Sequence, residues 1–128
     1  MILVDSSVWI QAWRGNSPAL QEALSDLIER HEASINLLIQ TEILQGAQDY
    51  SQQKKLKKLL EPIPVFNFPQ NFWEEAPVFY LSLRKKGLTL STMDSLIACH
   101  CKLENLSLWS LDKVFIKIPQ LKLFSSES

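Results

Sequence analysis

An unbroken apolar run, Met1 to Val4, opens the chain and stops at Asp5-Ser6-Ser7. Four aliphatic positions without polar alternation predict a strand covered on both faces, as in a parallel sheet sandwiched by helices. Apolar spacing then becomes helical. Val8, Ile10 and Trp13 predict a helix from Ser7 to Trp13 that closes near Gly15-Asn16. Ser17-Pro18 reads as a cap with proline at the first helical position, and Leu20, Ala23, Leu24, Leu27 and Ile28 carry that helix to about Arg30. Ala33 to Leu37 predicts a second strand. Asn36 is placed to cap a helix containing Ile39, Glu42, Ile43 and Ala47, with Gly46 inside it or at its end. From Ser51 to Leu60, a narrow stripe of Leu56, Leu59 and Leu60 opposes outward lysines.

Pro62 and Pro64 end that helix, and Ile63 to Phe68 is expected as an edge strand, where prolines are tolerated. Phe72 to Lys86 predicts a helix with Trp73, Ala76, Phe79, Tyr80 and Leu83 inward, kinked or broken at Pro77 and stopped by Gly87. Ser91-Thr92 begins an apolar helix running to Leu103. Leu106 to Leu111 then predicts a strand, Asp112-Lys113 a turn, and Leu121 to Phe124 a last short strand. Strands alternating with helices imply an α/β fold, a three-layer α/β/α sandwich around a mostly parallel sheet. No repeat or linker divides the chain, so residues 1–124 are expected as one domain with a polar tail at 125–128.

Composition narrows the function without naming it. With 128 residues, 46% of them hydrophobic and 21% charged, the chain can bury a core without staples. A formal net charge of -1 removes any global attraction to nucleic acid, leaving local basic patches or bound cations to supply it. Asp5 interrupts the opening run too early for a signal peptide, and no segment approaches the length of a membrane span. Cys99 and Cys101, on one expected helix, cannot form a secreted disulfide framework, so the cytoplasm is the expected location.

Four acids carry the candidate chemistry, and each has a purely structural explanation. Asp5 could cap the following helix; Glu42 could be a solvated helix acid, although position 46, where a basic partner would stand, is glycine. Ser91 to Asp94 matches a capping box, and Asp112 could be a turn former. Their conjunction is harder to explain in this way. In a parallel sheet, Asp5 and Asp112 would follow strands at the same edge, where ligands bind, and Glu42 and Asp94 would lie in the first turns of helices starting there. Two unit charges about 5 Å apart repel by roughly 3 kcal/mol at an effective dielectric near 20. A cluster of four therefore needs protonation or cations, and hard divalent ions suit oxygen ligands. Such ions can activate water at a phosphodiester.

Asp5 after Met1-Ile2-Leu3-Val4, Thr41 to Gly46, Thr92 to Ala98 and Leu108 to Asp112 resemble, in order, the acidic motifs of PIN-domain ribonucleases, most like small VapC-type toxins. The resemblance spans residues 5 to about 118. It implies that Asp5, Glu42, Asp94 and Asp112 are catalytic and bind Mg²⁺ or Mn²⁺, with Ser6, Ser7 and Ser110 orienting acids or water. It also implies a PIN-like fold, an endoribonuclease leaving a 5′-phosphate and a 3′-hydroxyl, a homodimer, and an antitoxin protein whose tail blocks the acidic pocket. One departure is Val114, where many relatives carry a further acid; its loss would weaken a second metal position. The alternatives are a PIN-like nuclease of nucleic-acid processing without a toxin role, and a catalytically silent binding module whose acids are caps and turn formers.

Lys54, Lys55, Lys57 and Lys58, with Arg84, Lys85 and Lys86, are more often solvated helix faces than binding patches, but are the first candidates for RNA phosphate contacts. Cys99-His100-Cys101 cannot close a zinc site alone, because neighbours on a helix diverge; buried thiols are expected. His31 has no assigned role. Trp9, Trp13, Trp73 and Trp109 are expected mostly in the core.

Overall fold

The computed structural model describes residues 1–126. Positions 127 and 128, in the expected polar tail, lie outside the described residues. The elements in order are β1 (Ile2–Val4), α1 (Ser6–Arg14), α2 (Pro18–Glu29), β2 (Ala33–Ser34), α3 (Leu37–Gln45), α4 (Tyr50–Leu60), α5 (Phe72–Lys85), α6 (Thr92–Glu104), β3 (Ser107–Trp109) and a 3-10 turn (Lys113–Lys117). The three strands are parallel in the order β2-β1-β3, with β1 in the centre. Successive residues of a strand point to opposite faces. Leu3 and Val4 are both fully buried, so helices cover both faces of β1.

The core joins these strands to α1, α2, α3 and α6 through Val8, Trp9, Leu27, Ile35, Ile39, Ile43, Ile97 and Leu108. Trp9 buries its ring and donates its indole N–H to the Val4 carbonyl at 3.0 Å, so the largest core side chain leaves no polar atom unpaired. Four of the helices start on a side-chain cap. Ser17 accepts from the Leu20 N–H ahead of Pro18, Asn36 from Ile39, Asp49 from Gln52 and Ser91 from Asp94. Gly15, at φ 74°, closes α1 in the left-handed conformation that glycine adopts without strain.

Several expected elements are shorter than their apolar runs. Ile63 to Phe68 contributes a single parallel bridge, Val65 to Ile35, in which Pro64 accepts from Ile35 N–H and Phe66 donates to the Ile35 carbonyl. Pro64 has no N–H of its own, so the ladder stops there. Leu121 to Phe124 likewise reduces to one parallel bridge, Leu123 to Leu108. The expected strand Ala33 to Leu37 gives way after Ile35 to the Asn36 cap. Pro77 lies inside α5 without ending it. Leu59, expected in the apolar stripe of α4, is exposed, as is Trp73 at 58%. Trp9 and Trp109 are buried, and Trp13 packs partly against the core. Among the described residues no helix is long and apolar enough to cross a membrane.

Candidate active site

Parallel pairing of β1 with β3, in register from Val4 to Trp109, sets Asp5 and Ser110 side by side where both strands end. The Asp5 N–H donates to the Trp109 carbonyl at 2.9 Å and extends the ladder one residue. Asp5 stands at the cap position of α1, yet its side chain makes no capping bond. Its Oδ2 instead accepts from the hydroxyls of Ser7 and Ser110, each at 2.8 Å. Those hydroxyls in turn accept the N–H groups of Leu111 and Asp112, both at 3.1 Å. The capping explanation of Asp5 therefore fails on geometry. Its buried carboxylate is clamped by two hydroxyls that also fix the loop leading to Asp112.

Glu42 is the sixth residue of α3, so it lies in the second turn and not the first as the spacing suggested. The Ser6 hydroxyl donates to its Oε1 at 3.3 Å, linking α1 to α3. Asp94 is in the first turn of α6, with Ser91 as its cap. Asp112 is exposed and caps the 3-10 turn, its Oδ1 accepting the Val114 N–H at 3.0 Å. Val114 packs its side chain against the core.

The acids act on one another electrostatically. Burial pushes the Glu42 carboxyl above its ordinary range, and the charges of Asp5 and Asp94 add to the rise while the Ser6 hydrogen bond opposes it. Burial likewise raises Asp94, opposed by hydrogen bonding from Ser91 and reinforced by Asp112 and Asp5. The four acids, drawn from four separate places in the chain, thus share one electrostatic neighbourhood. Among the described residues the sole ion pair is Arg30–Glu32 at 4.0 Å, so no lysine or arginine neutralises any of the four. Also among the described residues, no three acid, imidazole or thiol groups gather closely enough to cage one ion. The donor set itself is all oxygen, anionic and uncompensated, which is the chemistry a hard divalent cation takes.

Lys54, Lys55, Lys57 and Lys58 are exposed on α4, which packs on the helix of Glu42; Arg84, Lys85 and Lys86 are exposed at the end of α5, which packs on the helix of Asp94. Two clefts lie on these same helices. One of about 400 Å³, between α1, α3 and α4, is lined by Ile10, Trp13, Arg14, Ile43, Gly46 and Leu56 among others. The other, of about 360 Å³ between α5 and α6, includes Thr92 and Ser95 on either side of Asp94. Gly46 ends α3, and a methyl added there would meet only ordinary contacts, the nearest being the Ile43 carbonyl at 3.5 Å.

Sequence reasoning passed over the residue that joins the two acidic helices. His100 of α6 is fully buried beside Asn36, the cap of α3. Asn36 accepts the Ile39 N–H through Oδ1 at 2.9 Å, so its amide NH₂ faces His100 Nδ1, also at 2.9 Å. Nδ1 must therefore accept, which places the ring proton on Nε2, donating to the Asn67 carbonyl at 3.2 Å. Burial holds the imidazole below its ordinary pKa, and this bonding suits the neutral ring. The signal was a histidine in the middle of an apolar helical run, which demands two buried partners. The flanking thiols are buried and free, with burial pushing Cys99 up to about 11 and Cys101 to about 12.

A family model described as PIN domain matches residues 2–121. This chain belongs to the PIN-domain family. PIN domains are generally nucleases that use divalent metals. The fold of this PIN domain is similar to that of VapBC2 from Rickettsia felis, bound to a DNA fragment from its promoter, with TM-score 0.83, 22% identity and coverage of 97% of this chain and 98% of that one. It is similar to VapBC-1 from nontypeable Haemophilus influenzae, with TM-score 0.80, 21% identity and full coverage of both chains. A toxin–antitoxin complex from Klebsiella pneumoniae matches with TM-score 0.74, 21% identity and 98% coverage of each chain. No curated protein matches the sequence.

Proposed function

We propose that this PIN domain is an endoribonuclease dependent on Mg²⁺ or Mn²⁺, and the toxin of a toxin–antitoxin pair. The observation that supports this most is the set of four uncompensated acids from four places in the chain, in which the charges of Asp5 and Asp94 raise Glu42 and those of Asp112 and Asp5 raise Asp94. Asp5, Glu42, Asp94 and Asp112 would hold the metal. A bound divalent ion supplies an activated water and offsets charge on the leaving oxygen. The chain's own part is positional. Ser7 and Ser110 hold Asp5, Ser6 holds Glu42, and the cap at Ser91 fixes the turn carrying Asp94.

The exposed cations of α4 and of the end of α5 would contact backbone phosphates of the bound strand. In-line attack by water on the phosphorus would leave a 5′-phosphate and a 3′-hydroxyl. The likeness to chains of VapBC assemblies and of a toxin–antitoxin complex supports an antitoxin partner for this chain. A homodimer is also proposed, with the exposed Val78 and Leu81 of α5 as available surface.

One observation favours the silent binding module. Asp112 caps its 3-10 turn, and Asp94 belongs to a working helix cap, so both have structural employment. Cleavage of single-stranded RNA in Mg²⁺, with EDTA as the blank, separates the two readings when repeated with Asp94→Asn. The variant keeps the backbone N–H that meets Ser91. Loss of cleavage in a folded Asp94→Asn supports the nuclease, and undiminished cleavage removes Asp94 from the site.

A further inference from the structure

The cleft between α5 and α6 is lined by Trp73, Ala76, Pro77, Tyr80, Thr92, Ser95 and Leu96. At about 360 Å³ it falls within the usual range for ligand pockets, about 300 to 1,000 Å³. Trp73 is 58% exposed; the buried Phe72 meets it edge-on at 4.8 Å and Phe68 lies at 5.6 Å, which steadies the indole while the rest of it opens at the cleft. Ser95 has the opposite setting. It is 3% exposed, it lines the cleft, and among the described residues its hydroxyl has no hydrogen-bond partner. Among the described residues no fully buried side-chain polar atom lacks a partner, so this hydroxyl opens into the cleft, where a ligand can meet it.

None of the lining residues is charged, which disfavours a phosphate and suits a neutral group with a flat apolar face and a polar edge. A second protein copy would cover the indole but would not in general bring a donor or acceptor to Ser95. Thr92 and Ser95 lie within one helical turn of Asp94, which does not itself line the cleft, so the cleft opens within about one nucleotide's reach of that carboxylate.

We propose that this cleft is a nucleobase subsite, in which Trp73 stacks on one unpaired base of the strand bound at Asp94 and the Ser95 hydroxyl hydrogen-bonds to that base's edge. The inference rests on the nuclease reading and adds a source of sequence preference to it. Because every base has a π face, stacking supplies affinity, whereas Ser95 supplies the discrimination.

The test uses the full chain and single-stranded RNA oligonucleotides, intact or with one abasic position placed in turn beside the cut. Trp73→Ala is expected to lower kcat/KM by about 5- to 100-fold, mostly through KM, and Trp73→Phe to recover most of that loss. An abasic residue at one position should cost the wild type a similar factor and cost Trp73→Ala nothing more. Ser95→Ala is expected to shrink the preference at that same position by about 2- to 10-fold. Wild-type cleavage that is indifferent to Trp73→Ala and to every abasic position overturns the subsite and leaves the nuclease standing. A dimer that becomes a monomer in Trp73→Ala, with equal losses on intact and abasic strands, shows a subunit contact instead. Absence of any metal-dependent RNA cleavage by the wild type overturns the nuclease reading and the subsite with it.

Discussion

Replacing Asn36 by alanine removes two bonds at once. The first is the cap to Ile39, worth about 1 kcal/mol and at most about 2. The second is the bond to His100 Nδ1, whose loss strands a fully buried acceptor at a further cost of about 1–3 kcal/mol. Together these predict a loss of about 2–5 kcal/mol. For a chain of this size, 1 kcal/mol shifts Tm by about 4 °C, so Asn36→Ala should melt about 8–20 °C lower. Asp49→Ala is the matched control, since Asp49 caps α4 through Gln52 N–H in an exposed setting with no second partner. It should cost only about 4 °C. Thermal unfolding by circular dichroism in one buffer compares the two. If Asn36→Ala melts no lower than Asp49→Ala, the bond between Asn36 and His100 does not tie α3 to α6. Because that bond joins the helix of Glu42 to the helix of Asp94, the variant should also bind Mn²⁺ more weakly than Asp49→Ala does.

The remaining expectations concern pH, thiols and one glycine. His100 is held below its ordinary pKa of 6.5 in the folded chain, so the unfolded chain takes up the proton first. Its contribution is full above about pH 6.5 and is lost as pH falls toward the folded value, which a series of Tm values would show as a decline that His100→Gln flattens. Glu42 is shifted the other way: below its ordinary range it costs nothing, and as pH rises past that range the unfolded chain ionises first and stability falls. In EDTA at pH 7, Glu42→Gln should therefore raise Tm, while removing part of any gain from Mg²⁺; a drop in Tm would refute the repulsion. Cys99 and Cys101 should resist a disulfide reagent at pH 8 in the native chain and react fully in guanidinium, whereas fast native reaction would contradict their burial. Gly46→Ala should be neutral or stabilise by up to about 1 kcal/mol, measured by denaturant titration, because the backbone there is right-handed and the space is open.

What the chain disclosed in advance follows from locality. The buried strand before Asp5 needs only an unbroken aliphatic run, and the caps at Ser17, Asn36 and Ser91 need only the residue before an apolar period. That Asp5 and Asp112 follow strands at one edge of the sheet was expected from the alternation of strands and helices, which parallel pairing of β1 with β3 bears out. What escaped depends on partners distant in sequence. Proline at 64 denies the segment Ile63 to Phe68 a second donor, so an apolar run became one bridge. Glu42 stands a turn deeper in its helix than expected because Asn36 starts α3 at Leu37. The 3-10 turn after Asp112 was invisible to periodicity, being a single capped turn of five residues. His100 looked like part of a false zinc motif, and only the fold shows that its partners are Asn36 and Asn67. The hydroxyls of Ser7 and Ser110 converge on one carboxylate oxygen from positions 103 residues apart, which no local pattern could reveal.

The claim that the four acids form one cation site is tested most directly by thermal unfolding with millimolar Mn²⁺ against EDTA, in the wild type and in an Asp5→Asn, Asp94→Asn double variant. Binding at a hundred times the dissociation constant stabilises the folded state by about 2.7 kcal/mol, a rise of about 10 °C here. That rise in the wild type, absent from a folded double variant, is the predicted result. Equal melting temperatures with and without metal in the wild type, or an equal rise in both proteins, would contradict it.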